Sequence, residues 1–161
     1  MKSQVIVCST ELPKALEQYR ESVIKWSETN NYELLEVGPP NYLYDFKHVT
    51  SAFDLLRIEL LAERPYRLWV DWDVELYPSF SVDSTNIKIA LDYILWNGSN
   101  TDWFKKVLND YTNYCSTNPA AYEERYRMYK VMRKNSLCKL PNFSAKQFKH
   151  IYYSTGRKNE N

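Results

Sequence analysis

No two cysteines in this 161-residue chain are spaced as a Cys-x-x-Cys pair. Cys8, Cys115 and Cys138 are odd in number and widely separated, which argues against a disulfide framework or a zinc site and for reduced, buried thiols. No apolar run approaches the roughly 20 residues that span a bilayer, and Met1-Lys2-Ser3 does not lead into a signal-like core. The expectation is a cytoplasmic protein with no transmembrane segment. Neither charge dominates: 21 Lys and Arg against 20 Asp and Glu leave a net charge of +1, without the basic excess on which nucleic-acid binding rests. Glycine is scarce, at three residues, and there is no internal repeat. Aromatic side chains are plentiful, with 14 Tyr and 5 Trp, enough for a packed core and for platforms on which planar ligands stack. The length suits one domain, 1–161, with a core of its own.

Along the chain, Gln4 to Cys8 reads as a short buried strand because β-branched residues run without polar interruption. Ser9 to Pro13 carries helix-start chemistry. Leu16, Tyr19, Val23 and Trp26 then mark one helical face. Tyr32 to Val37 reads as a second strand, and Gly38-Pro39-Pro40-Asn41 turns the chain. A second helix is expected from His48 to Glu63, with Ser51 as a cap and Asp54 and Arg57 neighbours at i, i+3. Read without any ligand, that pair is a surface ion pair. Pro65 ends the helix, and Trp69 to Glu75 forms the third strand. Further strands are expected in Ile87–Leu91 and Tyr93–Asn97, and helices at Phe104–Tyr111 and from about Ala120 to Lys134. The latter carries a stripe of Tyr122, Tyr126, Tyr129 and Met132. From about 142 to 161 the chain reads as irregular and basic. Strands alternating with helices favour an α/β layer structure, in which ligands collect outside the carboxyl ends of the strands.

Asp71 and Asp73 lie at such an end. In an extended strand the two carboxylates share a face and Trp72 takes the other. Two carboxylates in one small region repel each other, and a hard divalent cation such as Mn²⁺ or Mg²⁺ removes that cost. Such pairs hold a metal against a substrate diphosphate. A surface pair at a strand end is the alternative.

Leu12-Pro13, Trp26, Asn30-Asn31-Tyr32-Glu33, the helix Ser51-Ala52-Phe53-Asp54-Leu55-Leu56-Arg57 with Leu60-Leu61, and Trp69-Val70-Asp71-Trp72-Asp73 occur in that order. Over roughly half the chain this resembles the small DXD-type sugar transferases, the group containing the Och1-like mannosyltransferases and bacterial capsular-polysaccharide transferases. An Asp-x-x-Arg helix feeding an Asp-x-Asp strand carries the likeness. The resemblance implies an α/β, GT-A-like, Rossmann-type mixed sheet flanked by helices. It also implies a metal-dependent transferase that moves a sugar from a UDP- or GDP-sugar to a glycan, lipid-linked or protein hydroxyl, with retention. Asp71 and Asp73 would then be the metal and ribose or diphosphate carboxylates, and Asp54 and Arg57 would hydrogen-bond the donor sugar. His150 would be a further metal ligand, and Arg157 or Lys158 would close over the diphosphate. Tyr44 or Phe46 could stack on the base, and Glu75 or Asp92 could stand near the reaction.

Departures from the pattern support a second reading. Phe53 replaces the usual Ser, the Gly-Gly pair is replaced by Glu63-Arg64-Pro65-Tyr66-Arg67, and the chain is shorter than most relatives. On that reading it is a non-catalytic binding or interaction domain. A third, a metal-dependent phosphotransferase or hydrolase, lacks a catalytic spacing of His48 and His150.

Overall fold

The apolar run Gln4–Cys8 becomes β1, buried along its whole length. The computed structural model, which describes residues 2–8 and 14–151, continues with α1 (Glu17–Thr29), β2 (Glu33–Val37), α2 (Val49–Glu63), β3 (Arg67–Val70), β4 (Val74–Leu76), β5 (Lys88–Ala90), β6 (Ile94–Trp96), α3 (Asp102–Thr117), α4 (Arg127–Lys134) and β7 (Phe148–His150). The expected helix start at Ser9–Pro13 lies outside the described residues.

A five-stranded sheet runs in the order β2-β1-β3-β6-β5. β1 pairs in parallel with β2 and β3, while β6 is antiparallel to β3 and to β5. The expected α/β mixed sheet flanked by helices is therefore the one observed. Because β2 and β3 lie on opposite sides of β1, right-handed crossovers put α1 and α2 on opposite faces. Side-chain alternation follows. Ile6, Cys8, Trp69 and Leu95 pack with Ile58 and Leu61 of α2 and Phe104 and Val107 of α3. Val5, Val7, Leu68, Val70, Ile94 and Trp96 pack with Val23 and Trp26 of α1. A strand buried on both faces carries apolar residues at every position, which is why β1 and β3 read as unbroken runs.

Asn97, fully buried after β6, anchors the return from α2. Its Oδ1 accepts from the backbone N–H of Arg67, and its Nδ2 donates to the carbonyls of Leu61 and Arg64. Gly98 follows at φ +60°, where an added Cβ would lie 2.4 Å from the Thr85 carbonyl oxygen.

Several expectations change. Ser51 does not cap α2; it sits inside the helix and its hydroxyl donates to the carbonyls of Glu124 and Arg125. Those carbonyls belong to a break in the expected Ala120–Lys134 helix, which is divided into a 3₁₀ segment (Pro119–Glu123) and α4. The stripe is correspondingly split: Tyr122 and Tyr126 are exposed, whereas Tyr129 packs against the core and Met132 is buried in it with Met128 and Val131. Cys138 is exposed, whereas Cys8 is buried and its thiol is pushed up to about 11, chiefly by burial. The segment beyond 142 is not wholly irregular, because it supplies β7.

Candidate active site

β1 and β3 are the adjacent parallel strands whose connections diverge, and the crevice outside their carboxyl ends is where such sheets bind ligands. A small, open depression lies there, lined by Val7, Cys8, Arg20, Val23, Val70, Asp71 and Trp72. Trp72 is its aromatic wall. Tyr44 and Phe46, the expected stacking residues, are not among its lining residues. Tyr44 is 94% exposed, and Phe46 is packed edge-on against Tyr42 and Tyr122.

Asp71 to Asp73 is a turn, not the continuous Trp69–Glu75 strand expected. The N–H of Val74 donates to the Asp71 carbonyl, and the chain then starts β4. Asp71 is held at the end of β3 because its N–H donates to the Tyr93 carbonyl and its Oδ1 accepts the Trp69 indole N–H at 2.6 Å. Trp72 swings toward α2 and meets Phe53 edge-on.

Asp73 points elsewhere. β7 pairs antiparallel with β4, setting His150 opposite Val74 and directing the Ile151 N–H to the Asp73 carbonyl. His150 Nε2 comes 3.1 Å from Asp73 Oδ2, with both side chains nearly buried, and the imidazole stacks on Tyr93 at 3.9 Å. The expected pairing of a distant histidine with the Asp-x-Asp motif is therefore present in space. Among the described residues no group of three or more His, Cys, Asp or Glu converges to hold a metal ion, so Asp71 does not complete a triad with Asp73 and His150. The Nε2–Oδ2 contact is of hydrogen-bond length, and the same spacing would suit two adjacent ligands of one cation. Octahedral ligands at ~2.1 Å lie about 3.0 Å apart when adjacent, close to the Nε2–Oδ2 spacing, and such ions usually take one or two protein groups with the rest from phosphates and water.

Arg57 departs from expectation. It is 2% exposed, so it is a buried hub and not a surface partner of Asp54. Nη1 donates to the Asp92 carbonyl at 2.5 Å, and Nη2 lies 3.4 Å from both Asp54 Oδ1 and Asp92 Oδ2. Sequence reasoning did not distinguish Asp92 from Glu75. The i, i+3 spacing reveals Asp54, but the turn between β5 and β6 that delivers Asp92 leaves no local signal. Glu75 stands in β4, in register with Lys149 across the β4–β7 pair, and among the described residues makes no ion pair with Arg57. Arg157 and Lys158 lie outside the described residues.

The electrostatics concentrate on Asp71. Burial drives its carboxyl up to about 8; Arg57 opposes that rise, while Asp92 and Asp73 add to it. The folded protein therefore retains a proton that the unfolded chain releases near the ordinary carboxylate value. Folding stability is fully expressed below that value and declines as pH rises toward about 8. Asp71→Asn, whose Oδ1 still accepts from Trp69, is expected to flatten this decline. Denaturant titrations of both proteins from pH 4.5 to 8.5 test it; parallel pH profiles would refute it.

One solved structure is similar in fold over 99% of both chains, with a TM-score of 0.60 and 10% identity: a glycosyltransferase involved in the glycosylation of the major capsid of PBCV-1. The chain shares the fold of that glycosyltransferase. At that identity the fold is what the two proteins share. No family model and no curated protein matches the sequence. In this fold the pocket and the Asp71–Asp73 turn lie beyond the carboxyl ends of β1 and β3, with His150 against Asp73 and Arg57 near enough to act on the Asp71 carboxyl. No helix among the described residues is long and apolar enough to cross a membrane.

Proposed function

We propose that the protein is a metal-dependent glycosyltransferase, taking a sugar from a UDP- or GDP-sugar to a glycan, lipid-linked or protein hydroxyl. The observation that carries this reading is the contact between Asp73 and His150 beside the pocket at the end of β3. A carboxylate and an imidazole brought together from distant parts of the chain form an incomplete ligand set of the kind that a nucleotide's phosphates complete. The mixed oxygen and nitrogen donors favour Mn²⁺ over Mg²⁺.

When bound, the cation would offset the negative charge that gathers on a departing diphosphate. The protein's own residues do the remaining work. The pocket offers Trp72 as an apolar wall for the nucleoside and Arg20 as a cation on its rim. Asp54, held by Arg57 and 27% exposed, accepts from hydroxyls of the sugar. Retention of anomeric configuration and a cytoplasmic location follow from the sequence resemblance and composition and complete the proposal.

Calorimetric titration of UDP, GDP and their glucose and mannose conjugates, with and without Mn²⁺, tests the reading. Binding that requires Mn²⁺ is expected for one base. A folded protein that binds none of these ligands would refute it.

A further inference from the structure

We infer that Asp92, coupled to Asp54 through Arg57, forms the second half of a two-carboxylate grip on the donor sugar, selecting an uncharged hexose. The inference rests on the donor site proposed above.

Arg57 does not itself reach a ligand, since it is 2% exposed and both of its terminal nitrogens are engaged from within, leaving only the buried Nε without a partner. Whatever it contributes passes through the groups it holds. One of its nitrogens fixes the turn between β5 and β6 by the Asp92 carbonyl, where Leu91 is kept at φ 44°. The other lies 3.4 Å from an oxygen of Asp54 and 3.4 Å from an oxygen of Asp92, so these two oxygens are at most about 6.8 Å apart. Both side chains keep solvent access, 27% and 33%. No hydrogen bond among the described residues occupies the second oxygen of Asp92.

Burial of one arginine requires one good partner. Here a second carboxylate is added, 3.4 Å from the same guanidinium nitrogen that Asp54 already approaches. Grouping like charges costs stability, so the arrangement points to use by a ligand. Ionised carboxylates only accept hydrogen bonds. A pair of them within that span suits two hydroxyls of one ring at ordinary hydrogen-bond lengths, and repels phosphate and acidic sugars. The diphosphate is thereby left to the Asp73–His150 side and the sugar to the Asp54–Asp92 side.

Asp92→Asn is the test, because the asparagine retains the backbone carbonyl that Arg57 uses. UDP, UDP-glucose, GDP and GDP-mannose are titrated in Mn²⁺ into wild type and variant, with melting curves for both. For the base that binds, the variant should hold the sugar conjugate about tenfold or more weakly and the bare nucleoside diphosphate within about twofold. Unchanged affinity for the conjugate overturns the inference. Equal weakening of conjugate and bare nucleotide also overturns it, since it assigns Asp92 to the fold alone. If Asp92→Asn does not fold, Asp92→Ser is measured against the same criteria. Wild type that binds no nucleotide refutes the donor site itself, an outcome distinct from any change in the variants.

Discussion

Asp73→Ala should remove the Mn²⁺-dependent part of nucleotide-sugar binding and lower any transfer rate by about 100-fold or more. The side chain supplies the anionic member of the Asp73–His150 pair, and the backbone of the same residue does the structural work by accepting from the Ile151 N–H. Alanine keeps that carbonyl, so the turn and the β4–β7 pair survive the change. His150→Ala should be milder, because it removes a neutral ligand and leaves the charge. Asp73→Asn separates the two explanations of a loss. It keeps an oxygen within reach of His150 but no net charge, so it should fail with metal while melting like the wild type. Full Mn²⁺ response in Asp73→Asn would exclude Asp73 as a ligand.

Arg57→Ala is expected to be the most destabilising single substitution at the site. Removing one partner from a buried ionic group costs about 3–5 kcal/mol, and Asp54 and Asp92, being partly exposed, can rehydrate, which favours the lower end. For a chain of this size each kcal/mol lowers Tm by about 2–4 °C, so the fall should be roughly 6–12 °C near that lower end. A second effect has the same origin. Arg57 restrains the rise of the Asp71 carboxyl, so its removal should extend the pH range over which Asp71 keeps its proton. Thermal melts at several pH values read both effects. A Tm within about 2 °C of wild type would show that the buried guanidinium is dispensable.

Much of this architecture is legible in the sequence. β1 and β3 carry unbroken apolar runs because both of their faces are covered, and α1 keeps Val23 and Trp26 on one stripe because only one face is. The position of Asp71 at a strand end is readable for the same reason. The turn through Trp72 is not, since Asp-Trp-Asp holds neither Gly nor Pro to announce it. β7 is three residues long, too short to show a period, and exists because Val74–Leu76 offers it a partner. Arg57 misleads in another way. An arginine three residues after an aspartate reads as a surface pair, and only Asp92, from a distant turn, explains how the charge can be buried. The break before α4 is likewise sustained from outside, by the Ser51 hydroxyl and by Glu124, which pairs with Arg127 and accepts from Tyr114.

The pairing of β7 with β4 also has a consequence for how the molecule comes into being. A chain emerging from the ribosome presents the five strands of the main sheet and α1 to α4 ahead of Phe148–His150. The scaffold can therefore assemble during synthesis, while His150 reaches Asp73 only afterwards, as one of the most distant contacts in sequence. On the proposed donor site, the cation-holding pair is thus completed after the main sheet has emerged.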